Sequence, residues 1–223
     1  MIAEPDISAV AALLADPGRA AMLSALLDGR SLPAGELAKI AGVTAQTASS
    51  HLHRLLEANF ISVERQGRHR YYRLANADVA HAVETLGAIA PMRQIESLRQ
   101  SEKARALSTA RTCYDHLAGA LSLRIADGLV SAGHLERVDG SFRVTASGTD
   151  ALERLGLTFS ESSCRPFARA CLDWTERRHH IAGTLGAALL ALFLERRWVV
   201  RITGSRAVRV TPEGEAALRA LSK

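Results

Sequence analysis

The chain has 223 residues, of which 48% are hydrophobic and 23% charged, a mixture that excludes disorder and low complexity as overall descriptions. Aromatic residues make up only 4%, which argues against a stacking platform for single-stranded nucleic acid. The net charge of +5 suits a polyanionic partner, provided the positive side chains are gathered where that partner would lie.

Residues 1–16 carry Glu4, Asp6 and Asp16 and no Lys or Arg, unlike the cationic start of a secretory leader. The first predicted helix runs from Ile7 to Leu14, with Val10 and Leu13 on one stripe. Asp16-Pro17 then supplies an N-cap and a first-turn proline, and Gly29 closes the second helix. A short helix follows over Ala34–Ala41, stopped by Gly42, and Thr44 caps a longer one that runs to about Ala58. Ile61 to Arg65 and His69 to Leu74 alternate apolar and polar residues around Gln66-Gly67, a β-hairpin signal. Asp78–Ile89 is helical again, up to Pro91.

Residues 91–111 mix Arg93, Arg99, Lys103, Arg105 and Arg111 with Ser and Ala and read as a basic helical connector. Residues 112–223 contain an internal repeat. His116-Leu-Ala-Gly119-Ala-Leu121 answers to His180-Ile-Ala-Gly183-Thr-Leu185, and Val144-Thr145 with Gly148 answers to Val210-Thr211 with Gly214. Each copy reads helix, hairpin, helix, with hairpins at Leu135–Val144 and Val199–Val210. The longest apolar run, Ile181 to Leu194, is broken by glycines and falls short of the roughly 20 apolar residues of a spanning helix. The expected fold is mainly α with small β-hairpins: a winged helix-turn-helix over residues 1–90, the connector, and a two-repeat effector-sensing domain. No membrane partner and a cytoplasmic location are expected.

The chemistry concentrates on two helices joined by a turn and followed at once by a hairpin. In the second helix Ala48, Leu52, Leu55 and Leu56 form a stripe to bury. The other faces show Gln46, Thr47, Ser49, Ser50, His51, His53 and Arg54, short donors and acceptors that suit base edges in a major groove. The hairpin adds Arg65, Arg68, His69 and Arg70 for the sugar-phosphate backbone. Residues 1–90 hold eight basic against nine acidic side chains, yet residues 44–74 hold five arginines against Glu57 and Glu64. The positive charge therefore sits on the helix and wing that would meet phosphates.

Leu14-Ala15-Asp16-Pro17-Gly18-Arg19, Gly35-Glu36-Leu37-Ala38, Ser49-Ser50-His51-Leu52 and Gly67-Arg68-His69-Arg70-Tyr71-Tyr72-Arg73-Leu74 resemble the ArsR/SmtB family over roughly residues 5–90. The resemblance implies a homodimeric repressor that leaves its operator DNA when an effector binds, with Ile7–Leu14 and Asp78–Ile89 forming the dimer interface. The family's metal-sensing cysteines are absent. Ser31–Leu37 carries none, and the recognition helix has Arg54 and about Ala58 where cadmium- and lead-sensing relatives have cysteines. His81 and Glu84, on the last helix of this segment, read as solvated.

Three cysteines, Cys113, Cys164 and Cys171, are too few for a disulfide scaffold. Cys113 and His116 share a face if Cys113-Tyr-Asp115-His116 is helical, whereas Cys171 and His180 would point to opposite sides of an unbroken helix. Asp115 and Asp173 accompany the two cysteines. The plainest reading buries the cysteines as small hydrophobes. The alternatives are a soft-metal or metalloid site built from Cys113, Asp115, His116, Cys171, Asp173 and His180, or an organic ligand among Tyr114, Phe167, Trp174 and Trp198. The identity of any inducer stays open. A non-enzymatic regulator is expected, against a thiol-dependent enzyme using Cys113 and His116 or an interaction module that never meets DNA.

Overall fold

The computed structural model describes residues 4–92, 94–157 and 166–221, so Arg93 and Cys164 lie outside the described residues. The chain divides into two compact units, Met1–Val83 and Glu84–Lys223. The division falls inside one helix, earlier than the boundary at residue 90 that the sequence suggests.

The first unit contains α1 (Ile7–Leu14), α2 (Pro17–Leu26), β1 (Leu32–Pro33), α3 (Ala34–Ala41), α4 (Ala45–Glu57), β2 (Ile61–Gln66), β3 (His69–Leu74) and the start of α5 (Ala77–Ile89). Local chemistry sets the helix ends. Asp16 accepts from the Arg19 backbone N–H at 2.9 Å, Gly42 closes α3 in the left-handed conformation, and Thr44 accepts from Thr47 N at 3.2 Å. The buried Arg19 side chain donates to the Ala12 and Leu13 carbonyls at the end of α1, satisfying acceptors that the helix itself leaves open. Met22, Leu23, Leu26, Leu37, Leu52, Leu55 and Leu74 form the buried interior. Leu56 is only half-buried.

The sheet order is β1-β3-β2. The short β1, which the sequence pattern does not announce, pairs Leu32 with Tyr72 and Pro33 with Tyr71. Its proline is tolerated because β1 is an edge strand. Gln66 pairs with His69, so the hairpin turn is Gly67-Arg68 rather than Gln66-Gly67. Gly67 takes a positive φ of 60°, which suits the first position of such a turn.

The second unit continues with α6 (Leu98–Thr109), β4 (Arg111–Cys113), β5 (His116–Ala118), α7 (Ala120–Ser131), β6 (Leu135–Val138), β7 (Ser141–Val144) and α8 (Ala146–Arg154). It ends with β8 (Arg169–Leu172), β9 (His179–Ala182), α9 (Gly183–Glu195), β10 (Val199–Arg201), β11 (Val208–Val210) and α10 (Pro212–Leu221). Each half is thus hairpin, helix, hairpin, helix. The segments around Cys113 and Cys171, expected to be helical, are strands. Arg111 leaves the basic connector as well: it lies in β4 and is fully buried.

The halves exchange strands reciprocally. Ser141 of β7 pairs with Arg169 of β8, and Arg111 of β4 bridges Ala207. Phe142 N donates to Ala168 O and Val208 N to Ala110 O, both at 2.9 Å. A shared interior of Leu121, Ile125, Leu129, Leu185, Leu189 and Phe193 lies between them. Matched caps repeat in detail: Thr145 accepts from Gly148 N at 3.0 Å and Thr211 from Gly214 N at 3.1 Å. A Cβ at Gly148 would overlap the His134 carbonyl, and one at Gly214 the Trp198 carbonyl.

Gly148→Ala and Gly214→Ala are therefore expected to lower stability by about 1–3 kcal/mol each through overpacking. Gly35→Ala, on a helix with open space around its Cβ position, is expected to raise it by about 0.4–1 kcal/mol. Urea unfolding of the three variants checks the contrast.

Candidate functional site

Two groups of side chains in the fold carry chemistry, and each lies within one unit. The first is the outer face of α4 with the β2–β3 hairpin. Ala48, Leu52 and Leu55 are buried, which turns Gln46, Ser49, Ser50, His53 and Arg54 to solvent. Thr47 is exposed too, with its hydroxyl 2.9 Å from that of Thr44. His53 sits 3.3 Å from Glu57 one turn on.

His51 departs from the expected role. Its side chain is only 12% exposed, and Nε2 lies 3.4 Å from Asp16 Oδ1. The ring tethers α4 to the N-cap of α2 and does not face outward with the other polar groups. The Asp16 carboxyl is held below its ordinary pKa, chiefly by the Arg19 backbone N–H, with His51 and Arg19 adding to the effect against a smaller opposing contribution from burial.

On the hairpin, Arg65, Arg68, His69 and Arg70 are all exposed. Arg65 stands directly across from Arg70. Like charges opposed in this way disfavour a free ribbon and favour an anion between them.

The second group lies at the meeting of two hairpins. Cys113 pairs with His116 across β4–β5, and Cys171 pairs with His180 across β8–β9. The second copy therefore does repeat the first copy's pair, contrary to the helical expectation. A hairpin keeps the cross-strand partner whatever the loop length, and the longer loop Asp173–Arg178 is accommodated outside the ladder. Ligating atoms of Cys113, His116, Cys171 and His180 all lie within 4.8 Å of one another, and all four residues are buried. The sulfurs are 4.0 Å apart, and the two Nε2 atoms face each other at 3.1 Å.

Carboxylates back both rings. Asp115 Oδ1 is 3.2 Å from His116 Nδ1, and Asp173 Oδ2 is 3.6 Å from His180 Nδ1. Asp173 is itself wholly buried and bound by Arg111 Nη2 at 3.0 Å, Gly119 N at 2.6 Å and the Thr175 hydroxyl at 2.6 Å. Burial alone would raise its pKa, but Arg111 and these hydrogen bonds bring it down to about 2. Burial likewise opposes charge on His116, yet its hydrogen bonds with Asp115 and Cys171 push it up to about 9. The hydrogen bond with Cys171, reinforced by burial, drives the Cys113 thiol well above its ordinary range. A nucleophilic thiol needs access and a lowered pKa; Cys113, 2% exposed, has neither.

The four aromatics considered as walls for an organic ligand are engaged separately. Arg111 stacks on Trp174 at 4.4 Å, Trp198 meets Phe193 edge-on, Phe167 is exposed, and Tyr114 occupies the β4–β5 turn with φ 60°. A cleft elsewhere in this unit mixes charged side chains such as Arg137, Arg178 and His179 with the apolar Val138, Phe142 and Ala170. Glu84 is not solvated: it is buried and ion-paired with Arg206. Its remote partner could not be read from the local helix pattern. Among the described residues, no single helix is long and apolar enough to cross a membrane.

A polar-faced helix over buried leucines, followed by a cationic hairpin, defines a winged helix-turn-helix. A helix-turn-helix domain family matches residues 14–64. The HTH-type transcriptional regulator YdfF of Bacillus subtilis is 50% identical over 215 residues, covering 96% of this chain and 95% of YdfF. The HTH-type transcriptional regulator CmtR of Mycobacterium tuberculosis is 40% identical over 73 residues, 33% of this chain and 61% of CmtR. The NMR structure of the cadmium metal-sensor CmtR from that organism aligns with 41% of this chain and 99% of its own, at 30% identity and a TM-score of 0.32. The chain belongs to the family of HTH-type transcriptional regulators, with an N-terminal winged helix-turn-helix.

Removing one partner of a buried ion pair strands the other charge. Arg111→Ala is expected to cost about 3–5 kcal/mol, read as a shift of the urea midpoint. Arg124→Ala, which breaks an exposed pair with Glu215, is expected to cost at most about 1 kcal/mol.

Proposed function

We propose that this regulator is an autoregulated homodimeric repressor that leaves its operator when an effector is taken up in the second unit. α4 enters the major groove, Gln46, Ser49, Ser50 and Arg54 meet base edges or nearby phosphates, and Arg65, Arg68, His69 and Arg70 follow the backbone. The observation that carries this reading is the division of α4 into a buried leucine stripe and an exposed face of short polar groups, beside a hairpin of opposed arginines. Acting on operator DNA, the protein works in the cytoplasm.

Homodimerisation is supported by apolar side chains left in solvent on the two helices that the family resemblance assigns to the interface. Ile7 on α1 is 76% exposed and Ile89 on α5 is 75% exposed, with Val10 and Leu86 also open. Effector uptake in the second unit is supported by the enclosed Cys/His cluster, which has a short route to α5. Thr112 N, beside Cys113, donates to the Arg206 carbonyl at 2.9 Å, and the Arg206 side chain holds Glu84 of α5.

Fluorescence anisotropy with duplex DNA from upstream of the protein's own gene tests the reading. Wild type is expected to bind with a steep salt dependence. Arg68→Ala with Arg70→Ala is expected to weaken binding to all sequences and reduce the log–log salt slope by about 2. Gln46→Ala or Ser50→Ala is expected to change which sequence is preferred, by about 1–3 kcal/mol of discrimination. Binding left intact by all four changes, or no binding by wild type, would overturn the proposal.

A further inference from the structure

We infer that Cys113, His116, Cys171 and His180 ligate one thiophilic divalent cation of the zinc class in a closed tetrahedral site. The donor set is two thiols and two imidazoles, the mixed S2N2 combination that suits zinc in tetrahedral geometry. Metal–nitrogen bonds of about 2.0–2.1 Å and metal–sulfur bonds of about 2.3 Å give tetrahedral edges of roughly 3.3 Å between nitrogens and 3.8 Å between sulfurs. The corresponding separations are 3.1 Å and 4.0 Å. Little movement is needed to admit the ion. A disulfide, by contrast, would require the sulfurs to close to about 2.05 Å.

The surroundings match the donors. Ala118 and Ala182 pack with the two cysteines and leave the ligating groups uncrowded. Metal-bound histidines are commonly oriented by a carboxylate on the other ring nitrogen. Asp115 stands at His116 Nδ1 and Asp173 near His180 Nδ1, where a completely buried His180 Nδ1 has no hydrogen-bond partner. The ladder supplies the geometry. One Cys/His pair comes from each half of the second unit, so the ion would tie β4–β5 to β8–β9. All four positions are taken by protein, which leaves none for a substrate.

For its consequence, though not for its coordination chemistry, the inference rests on the repressor reading: the ion is the effector. Loading it would fix β4, and with it the route through Thr112 and Arg206 to Glu84.

The full chain, reduced and stripped with a chelator, is titrated with Co2+ and followed by visible absorption. Wild type is expected to saturate at one cobalt per chain, with the intense d–d bands of a tetrahedral thiolate site. Cys113→Ser with Cys171→Ser is expected to abolish those bands, His116→Gln or His180→Gln to weaken cobalt binding at least about tenfold, and Cys164→Ser to behave as wild type. The thermal midpoint of wild type is expected to rise on loading, a readout that stands if the variants fail to fold. No stoichiometric tetrahedral spectrum in wild type, or its survival in the double variant, would overturn the site.

The same apo and Zn2+-loaded protein is then titrated with the operator fragment. A difference in affinity of about fivefold or more is expected. Equal affinities would overturn the effector assignment while the coordination result stands. Absence of DNA binding in both forms would overturn the repressor reading and leave the metal site untouched.

Discussion

The second unit turns on a single buried charge. Asp173 has no contact with water, and a carboxylate in that position is tolerable only if every oxygen is engaged. Arg111 reaches it from β4, Gly119 N from the junction of β5 and α7, and Thr175 from its own loop. The charge can be satisfied only when both first hairpins are folded and apposed. That apposition sets Cys113 and His116 against Cys171 and His180. Trp174 covers the guanidinium of Arg111 from the neighbouring position, so the pair is shielded as well as matched.

Reciprocity extends this constraint through the unit. Each half's second hairpin bonds to the first hairpin of the other, so neither half completes its hydrogen bonding alone. The glycines at the starts of α8 and α10 permit the same close approach to a carbonyl, which accounts for the match of Thr145/Gly148 with Thr211/Gly214 in the repeat.

Most of the first unit was legible in the sequence because its signals are local. Asp16-Pro17, Gly42 and Thr44 punctuate helices by chemistry within a turn of themselves, and the α4 stripe has an unambiguous period. Where the structure departs from the sequence pattern, the commonest cause is a partner far along the chain. His51 resembles its exposed neighbours until Asp16 is brought beneath it, and Glu84 looks solvated until Arg206 arrives. Cys113 and His116 are spaced equally well for one turn of helix or a tight hairpin, and periodicity cannot separate two such short alternatives. The wrong choice was harmless for the first pair but hid the second, because only strands bring Cys171 and His180 together across a loop. Arg111 illustrates the same limit. Composition groups it with a basic connector, although its role is fixed by Asp173.

A winged helix-turn-helix, whose exposed polar groups are arranged by a local leucine stripe, is followed in the chain by a unit whose Cys/His cluster is assembled by long-range pairing. X-ray absorption at the zinc edge of the loaded 223-residue chain is the sharpest test of the Cys/His site. Two sulfur scatterers at about 2.3 Å and two imidazole nitrogens at about 2.0–2.1 Å are expected. A shell of oxygen or nitrogen without sulfur would contradict it.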